Sequence, residues 1–157
     1  MNNPRLAGRY AKSLLDLATE QNQVDIVYND MKWLSKICKS NADFVAVLTS
    51  PIIKSDKKQA IIEAITNGRV TPLTAAFIVL LVKKTRESNL HEIVNAYIDQ
   101  FNLLRNIQKV KITTASPLSD ELKSVIMINI KNALPNQSFE IETAVKDELI
   151  GGFTLET

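Results

Sequence analysis

The feature that most constrains this chain is a helical period that persists from Pro4 to about Arg105 and then gives way to alternation. From Pro4 to Ala18, the residues Leu6, Ala7, Tyr10, Ala11, Leu14, Leu15, Leu17 and Ala18 recur at three-and-four spacing, the mark of an amphipathic helix. Pro4 suits its first turn. A second helix begins near Asn22, carries Val24, Val27, Tyr28, Met31, Leu34, Ile37 and Cys38, and fades at Lys39-Ser40-Asn41. Asn41 caps a short third helix with Phe44, Val45, Val47 and Leu48, which Ser50-Pro51 ends. Ser55 is expected to cap a fourth, with Ile61, Ile62 and Ile65 inward and Asn67-Gly68 as its stop. Thr71-Pro72 opens a fifth over Leu73 to Lys84, apolar nearly all round and so expected to be central and buried. A sixth starts near Ser88 or Asn89, with Glu92 in a capping-box-like place and Leu90, Ile93, Val94, Tyr97, Phe101 and Leu104 inward.

After Arg105-Asn106 the pattern changes. Val110 to Thr114 alternates apolar and polar with β-branched residues, a half-buried strand. Ser119 caps a helix with Leu122, Val125, Ile126, Ile130 and Ala133 inward, ended by Leu134-Pro135-Asn136. Phe139, Ile141, Thr143 and Val145 then alternate against Glu140, Glu142 and Lys146, and Ile150 to Leu155 reads as a third strand containing Gly151-Gly152. The expected fold is mainly α: a six-helix N-terminal bundle over 1–105, followed over 106–157 by a small β-α-β-β module of α+β type.

Composition narrows function by exclusion. Of the 157 residues 45% are apolar and 23% charged, which suits a folded chain and not a disordered one. The net charge of +2 demands no polyanionic partner, although Lys and Arg number 14 against 10 acidic residues up to Arg105, and 5 against 7 beyond it. The N-terminus lacks the apolar stretch of a signal peptide, and the longest apolar run, Ala75 to Val82, is too short to cross a bilayer, so membrane association is expected through partners.

Sites for chemistry are sparse. His91 is the only histidine and Cys38 the only cysteine, so zinc-type ligation is not expected. Cys38 closes the second helix's stripe and reads as a buried small hydrophobe. The four glycines, Gly8, Gly68, Gly151 and Gly152, form no phosphate loop, and no cofactor is expected. Asp16, Glu20, Glu63 and Asp99 lie on polar faces without an acid-base partner. Lys57-Lys58 and Lys83-Lys84 with Arg86 are the basic groups that a nucleic-acid reading would use, but no aromatics interleave with them. Trp33 falls off its helix's main stripe, either as a second contact face within the bundle or as an interface anchor.

Five stretches, in order, carry a family resemblance: Leu6-Ala7 with Arg9-Tyr10-Ala11-Lys12-Ser13-Leu14 and Leu17-Ala18; Leu48-Thr49-Ser50-Pro51-Ile52 with Lys57; Phe77 to Leu81 with Arg86 and Leu90; Ala115-Ser116-Pro117-Leu118-Ser119; and Asp147 to Phe153. Together they resemble the delta subunit of bacterial and chloroplast F-type ATP synthases, known in mitochondria as the oligomycin-sensitivity-conferring protein. The resemblance implies a non-catalytic stator subunit of a proton-translocating ATP synthase, held at the cytoplasmic face of the bacterial inner membrane through the complex. It implies that the N-terminal bundle binds N-terminal segments of the head's alpha subunits and that the C-terminal module meets the b subunits of the peripheral stalk. It also implies a further strand and helix after the Gly-Gly-Phe strand, whereas this sequence stops at Leu155-Glu156-Thr157.

The resemblance places the alpha contact between the first and fifth helices, where Ala7, Tyr10, Ala11 and Leu14 face Ala76, Phe77 and Leu80. An amphipathic helix in an apolar groove is a recurrent recognition mode. The plainer reading makes these residues bundle core, above all Leu14 and Phe77. The competing function is a helical RNA-binding or transcription-type adaptor, which strong salt-dependent RNA binding would reveal. An enzyme would need clustered titratable groups that the sequence does not show.

Overall fold

The computed structural model of the protein describes residues 3–135, 138–148 and 151–156. The chain divides into two units, Met1–Phe101 and Asn102–Thr157, so the division falls in the last turn of the sixth helix.

The first unit is helical. Helix α1 spans Pro4–Glu20, α2 Val24–Ser40, α3 Ala42–Thr49, α4 Ser55–Thr66 and α5 Pro72–Lys83, and α6, Leu90–Leu104, follows a 3-10 turn at Glu87–Asn89. Local chemistry sets several of the ends. Asn3 Oδ1 accepts the Leu6 N–H at the start of α1, Asn41 Oδ1 accepts that of Phe44 at the start of α3, and Thr71 Oγ1 that of Thr74 in α5. Gly68, with φ +69°, takes the left-handed conformation just beyond α4. α4 departs from expectation at its start: Lys54 is its N-cap and bonds with no side chain, and Ser55 is already the first helical residue.

The core of this unit is built from Ala7, Ala11, Leu14 and Ala18 of α1, Val27, Met31 and Leu34 of α2, Phe44 and Leu48 of α3, and Leu90, Ile93, Val94 and Tyr97 of α6. Tyr28 and Phe101 stack with ring centroids 3.9 Å apart. Three inward sets differ from the sequence reading. In α4 the buried positions are Lys58, Ile62 and Thr66, while Ile61 is exposed and Ile65 half-buried. The phase is set by Lys58, whose Nζ donates to Leu48 O and to Glu87 Oε1, each at 2.8 Å, in a buried pair. Lys58 is therefore a structural cation and not a surface one. In α6, Leu104 is exposed because the last turn runs past Phe101 and off the core. α5 is not buried all round, since Ala76 and Leu80 face outward.

The second unit follows the order β1 (Ile107–Thr114), α7 (Asp120–Ala133), β2 (Ser138–Val145) and β3 (Phe153–Glu156). The sheet order is β2-β1-β3, with β2 parallel and β3 antiparallel to β1. A parallel neighbour needs a crossover, and α7 supplies it. Val110 and Ile112 of the central strand are buried. Ser119 Oγ accepts the Leu122 N–H and caps α7, with Asp120 and Glu121 in the first turn. The expected inward face of α7 is corrected: none of its residues is buried, Leu122 and Val125 are more than half exposed, Ala133 is exposed, and Ile126 and Ile130 are half-buried. Thr143 and Val145 of β2 are likewise exposed. Gly151 and Gly152, with φ +149° and +81°, form a bend before β3 and are not part of the strand. Ile150 and Asn136 lie outside the described residues.

The chain is thus mainly α with a small mixed sheet, an α+β arrangement in which helices dominate. Among the described residues no helix is long and apolar enough to cross a membrane.

Candidate functional site

The surface along α1 and α5 is where the expected site residues fall. With about 100° between successive residues, α1 divides lengthwise into three bands. Ala7, Ala11, Leu14 and Ala18 face the core, and the three small alanines let neighbouring elements approach. Next to them lie Leu6, Tyr10 and Leu17, of which Leu6 and Tyr10 are half-buried and Leu17 is 40% exposed. The outer flank carries Arg5 and Arg9 toward the N-terminal end and Asp16 and Glu20 toward the C-terminal end, all exposed.

α5 is fixed at its start by a carboxylate on α2. Asp30 Oδ2 accepts the Thr71 N–H at 2.9 Å, the Thr71 hydroxyl at 2.7 Å and the Thr74 hydroxyl at 2.7 Å, with Asp30 itself buried. A buried carboxylate satisfied in this way holds a helix N-terminus against its neighbour. Phe77 then meets Tyr10 edge to face, centroids 6.4 Å apart at 65°. Beside this contact Ala76 and Leu80 open to solvent, Leu80 by 43%.

The structure therefore separates the expected site residues into two sets. Ala7, Ala11, Leu14 and Phe77 belong to the core, at 8% exposure or less. Tyr10, Ala76 and Leu80 line the surface. Leu17 joins them, and sequence reading missed it because its place in the three-and-four pattern looked like core. A cleft of about 480 Å³ adjoins Tyr10 and is lined also by Arg5, Arg9, Arg86, Asn3 and Ser13. A second cavity, about 270 Å³, lies between α4 and α5 among Ile62, Ala75, Ala76, Ile78, Val79 and Val82, so that Ala76 borders this cavity as well.

The remaining singled-out residues have structural places. Cys38 is buried, and burial pushes its thiol up to about 11. Tyr97 is fully buried, and burial, with the charges of Asp25 and Asp30, pushes its hydroxyl well above the usual tyrosine value. His91 Nε2 lies 3.3 Å from Asn95 Nδ2, and Asn95 Oδ1 accepts the Ser35 hydroxyl, joining α6 to α2. Trp33 is half-buried. Among the described residues no three His, Cys, Asp or Glu side chains gather as metal ligands.

Fold and surface define a mainly helical protein with an added mixed sheet, whose helical unit carries an apolar strip and a basic cleft beside it. The chain belongs to the ATP synthase delta (OSCP) subunit family, whose model matches residues 6–157. It is 35% identical over 158 residues to the ATP synthase subunit delta of Cytophaga hutchinsonii, covering 99% of this chain and 85% of that one. It is 36% identical to that of Christiangramia forsetii, covering 99% and 83%. In fold it resembles a chain of the Toxoplasma gondii mitochondrial ATP synthase hexamer, with a TM-score of 0.78 and 19% identity over 96% of this chain and 83% of that chain.

Proposed function

We propose that this chain, a delta-type subunit and peripheral-stalk component of an F-type ATP synthase, is a non-catalytic stator link between the catalytic head and the stalk. The reading takes residues 1–105 as a six-helix bundle that receives an amphipathic N-terminal segment of an alpha subunit, and 106–157 as the module that meets the b subunits. A stator part resists torque through stiffness and lasting contacts, and it needs no active site. Its place is the cytoplasmic face of a bacterial inner membrane, held there by the complex.

The observation that carries the alpha contact is the apolar strip of half-buried Tyr10 and exposed Leu17 on α1 with exposed Ala76 and Leu80 on α5. A helix laid along it buries apolar surface on both sides without unpacking the core, at about 25 cal/mol per Å². Ala7, Ala11, Leu14 and Phe77 support the strip from beneath.

The test is a titration of the full chain with a synthetic peptide from the N-terminus of the alpha subunit of the same organism, followed by NMR. Perturbations centred on Tyr10, Leu17, Ala76 and Leu80 are expected. Perturbations confined to α2, α3 or α7 would refute the placement.

A further inference from the structure

The basic cleft at the end of the apolar strip is used by nothing described above. Arg5 and Arg9 stand one helical turn apart on α1, and Arg86 comes from the turn after α5. All three are exposed, and among the described residues none of them forms an ion pair. Three guanidinium groups around one cleft of about 480 Å³ repel one another, and an anion seated among them relieves that repulsion. Asn3 and Ser13 add polar lining, and Tyr10 closes the cleft toward the strip.

The contact between Tyr10 and Phe77, with Arg86 sharing a cleft with Arg5 and Arg9, shows that the C-terminal end of α5 lies toward the N-terminal end of α1. The strip is therefore polarised. At one end it meets Arg5, Arg9 and Arg86, and at the other Asp16 and Glu20 on the outer flank of α1. An apolar guest with no charge pattern would gain nothing from that asymmetry.

We propose that the cleft is a carboxylate-binding subsite of the helix-docking strip, so that the occupant is an amphipathic helix with acidic side chains at the end lying over Arg5, Arg9 and Arg86. This rests on the docking reading above and adds to it the chemistry of the guest and its register. The apolar strip supplies most of the affinity. The arginines fix which way the guest lies, because a guanidinium holds a carboxylate with two parallel bonds, whereas a guest in the opposite register places its acidic end against Asp16 and Glu20. Charge here acts on specificity more than on strength, since exposed ion pairs each contribute little.

The test uses the full chain and labelled synthetic amphipathic peptides of about five helical turns that share one apolar face. One carries a pair of Glu at one end, one a pair of Gln there, and one a pair of Lys. Fluorescence anisotropy is read for the unaltered protein, for the Arg5→Gln/Arg86→Gln variant and for Leu80→Gln. The Glu peptide is expected to bind roughly tenfold more tightly than the Gln peptide at low salt, with the Lys peptide weakest. The Glu advantage should vanish in the double arginine variant and shrink as salt is raised. Leu80→Gln should weaken all three peptides alike.

Equal binding of the Glu and Gln peptides, with Leu80→Gln still weakening both, would overturn the carboxylate subsite and leave the docking strip standing. A Glu advantage that survives Arg5→Gln/Arg86→Gln would overturn it by placing the carboxylates elsewhere. Failure of every peptide to bind would overturn strip and subsite together. A single-stranded oligonucleotide that displaces the Glu peptide at equal concentration, and does so through Arg5 and Arg86, would overturn it in favour of a polyanion.

Discussion

At the scale of single residues, burial decides chemistry more than residue type does. Cys38 shows this: it is the only thiol in the chain, yet at 6% exposure its thiolate is disfavoured and its pKa rises from 9.0 to about 11. Between those two values the unfolded chain has lost the proton while the folded one keeps it. The unfolded state therefore binds fewer protons, and stability falls as pH rises from about 9 toward 11, with no contribution from this group below 9. Urea denaturation of the unaltered protein and of Cys38→Ala at several pH values checks this: the unaltered protein should lose stability more steeply across that window. Parallel slopes would show that the thiol titrates as it does in the unfolded chain. Alkylation by iodoacetamide should likewise be slow in the native protein and fast in urea. This environment was legible in the sequence because Cys38 closes an apolar stripe of unambiguous period. Asp30 was not legible, since a lone aspartate on a helix gives no sign that Thr71 and Thr74, far along the chain, turn their hydroxyls to it.

At the scale of elements, the helical period foretold where helices lie better than which face they bury. The caps Asn41, Thr71 and Ser119 act as read, because capping is local chemistry between residues two or three apart. The inward face of α4 was misread for a non-local reason: Lys58 is drawn into the interior by Glu87 and Leu48 O, and a lysine in a polar run has no sequence mark of burial. Of the apolar positions named for the groove, Ala7, Ala11, Leu14 and Phe77 are buried, as the plainer core reading had it above all for Leu14 and Phe77, while Leu80 and the unnamed Leu17 are exposed, since periodicity marks an apolar face and not what covers it. The Lys58–Glu87 pair ties α4 to the turn before α6, and Glu87 Oε2 has no hydrogen-bond partner among the described residues, so the carboxylate depends on Lys58. Lys58→Met should then cost about 3–5 kcal/mol by leaving a buried charge alone, and Lys58→Met/Glu87→Leu should restore much of it. Urea denaturation of the single and double variants measures both. A single variant as stable as the unaltered protein would show that water reaches the pair and screens it.

At the scale of the whole molecule, the two units are unequally endowed with core. Among the described residues, the buried apolar side chains lie almost wholly in Met1–Phe101, and Asn102–Thr157 contributes only Val110 and Ile112. A small unit with little buried apolar surface is marginally stable, and the exposed Leu122, Val125 and Ile128 of α7 add nothing to it until something covers them. If the units fold independently, heating should first release the sheet unit and later the helical one, and hydrogen exchange should be fast in β1 and β2 and slow in α1, α2 and α6. Gly152→Val tests this division. Gly152 has φ +81°, and a Cβ there meets no atom within 4 Å, so the substitution acts through backbone strain and not through a clash. That strain should cost on the order of 1–3 kcal/mol, enough to lower the first transition of so marginal a unit by several degrees. The second transition and binding of an alpha-subunit peptide should stay unchanged. Loss of peptide binding in Gly152→Val with the first transition intact would mean that docking is not confined to the helical unit, and the division of labour between the two units would have to be abandoned.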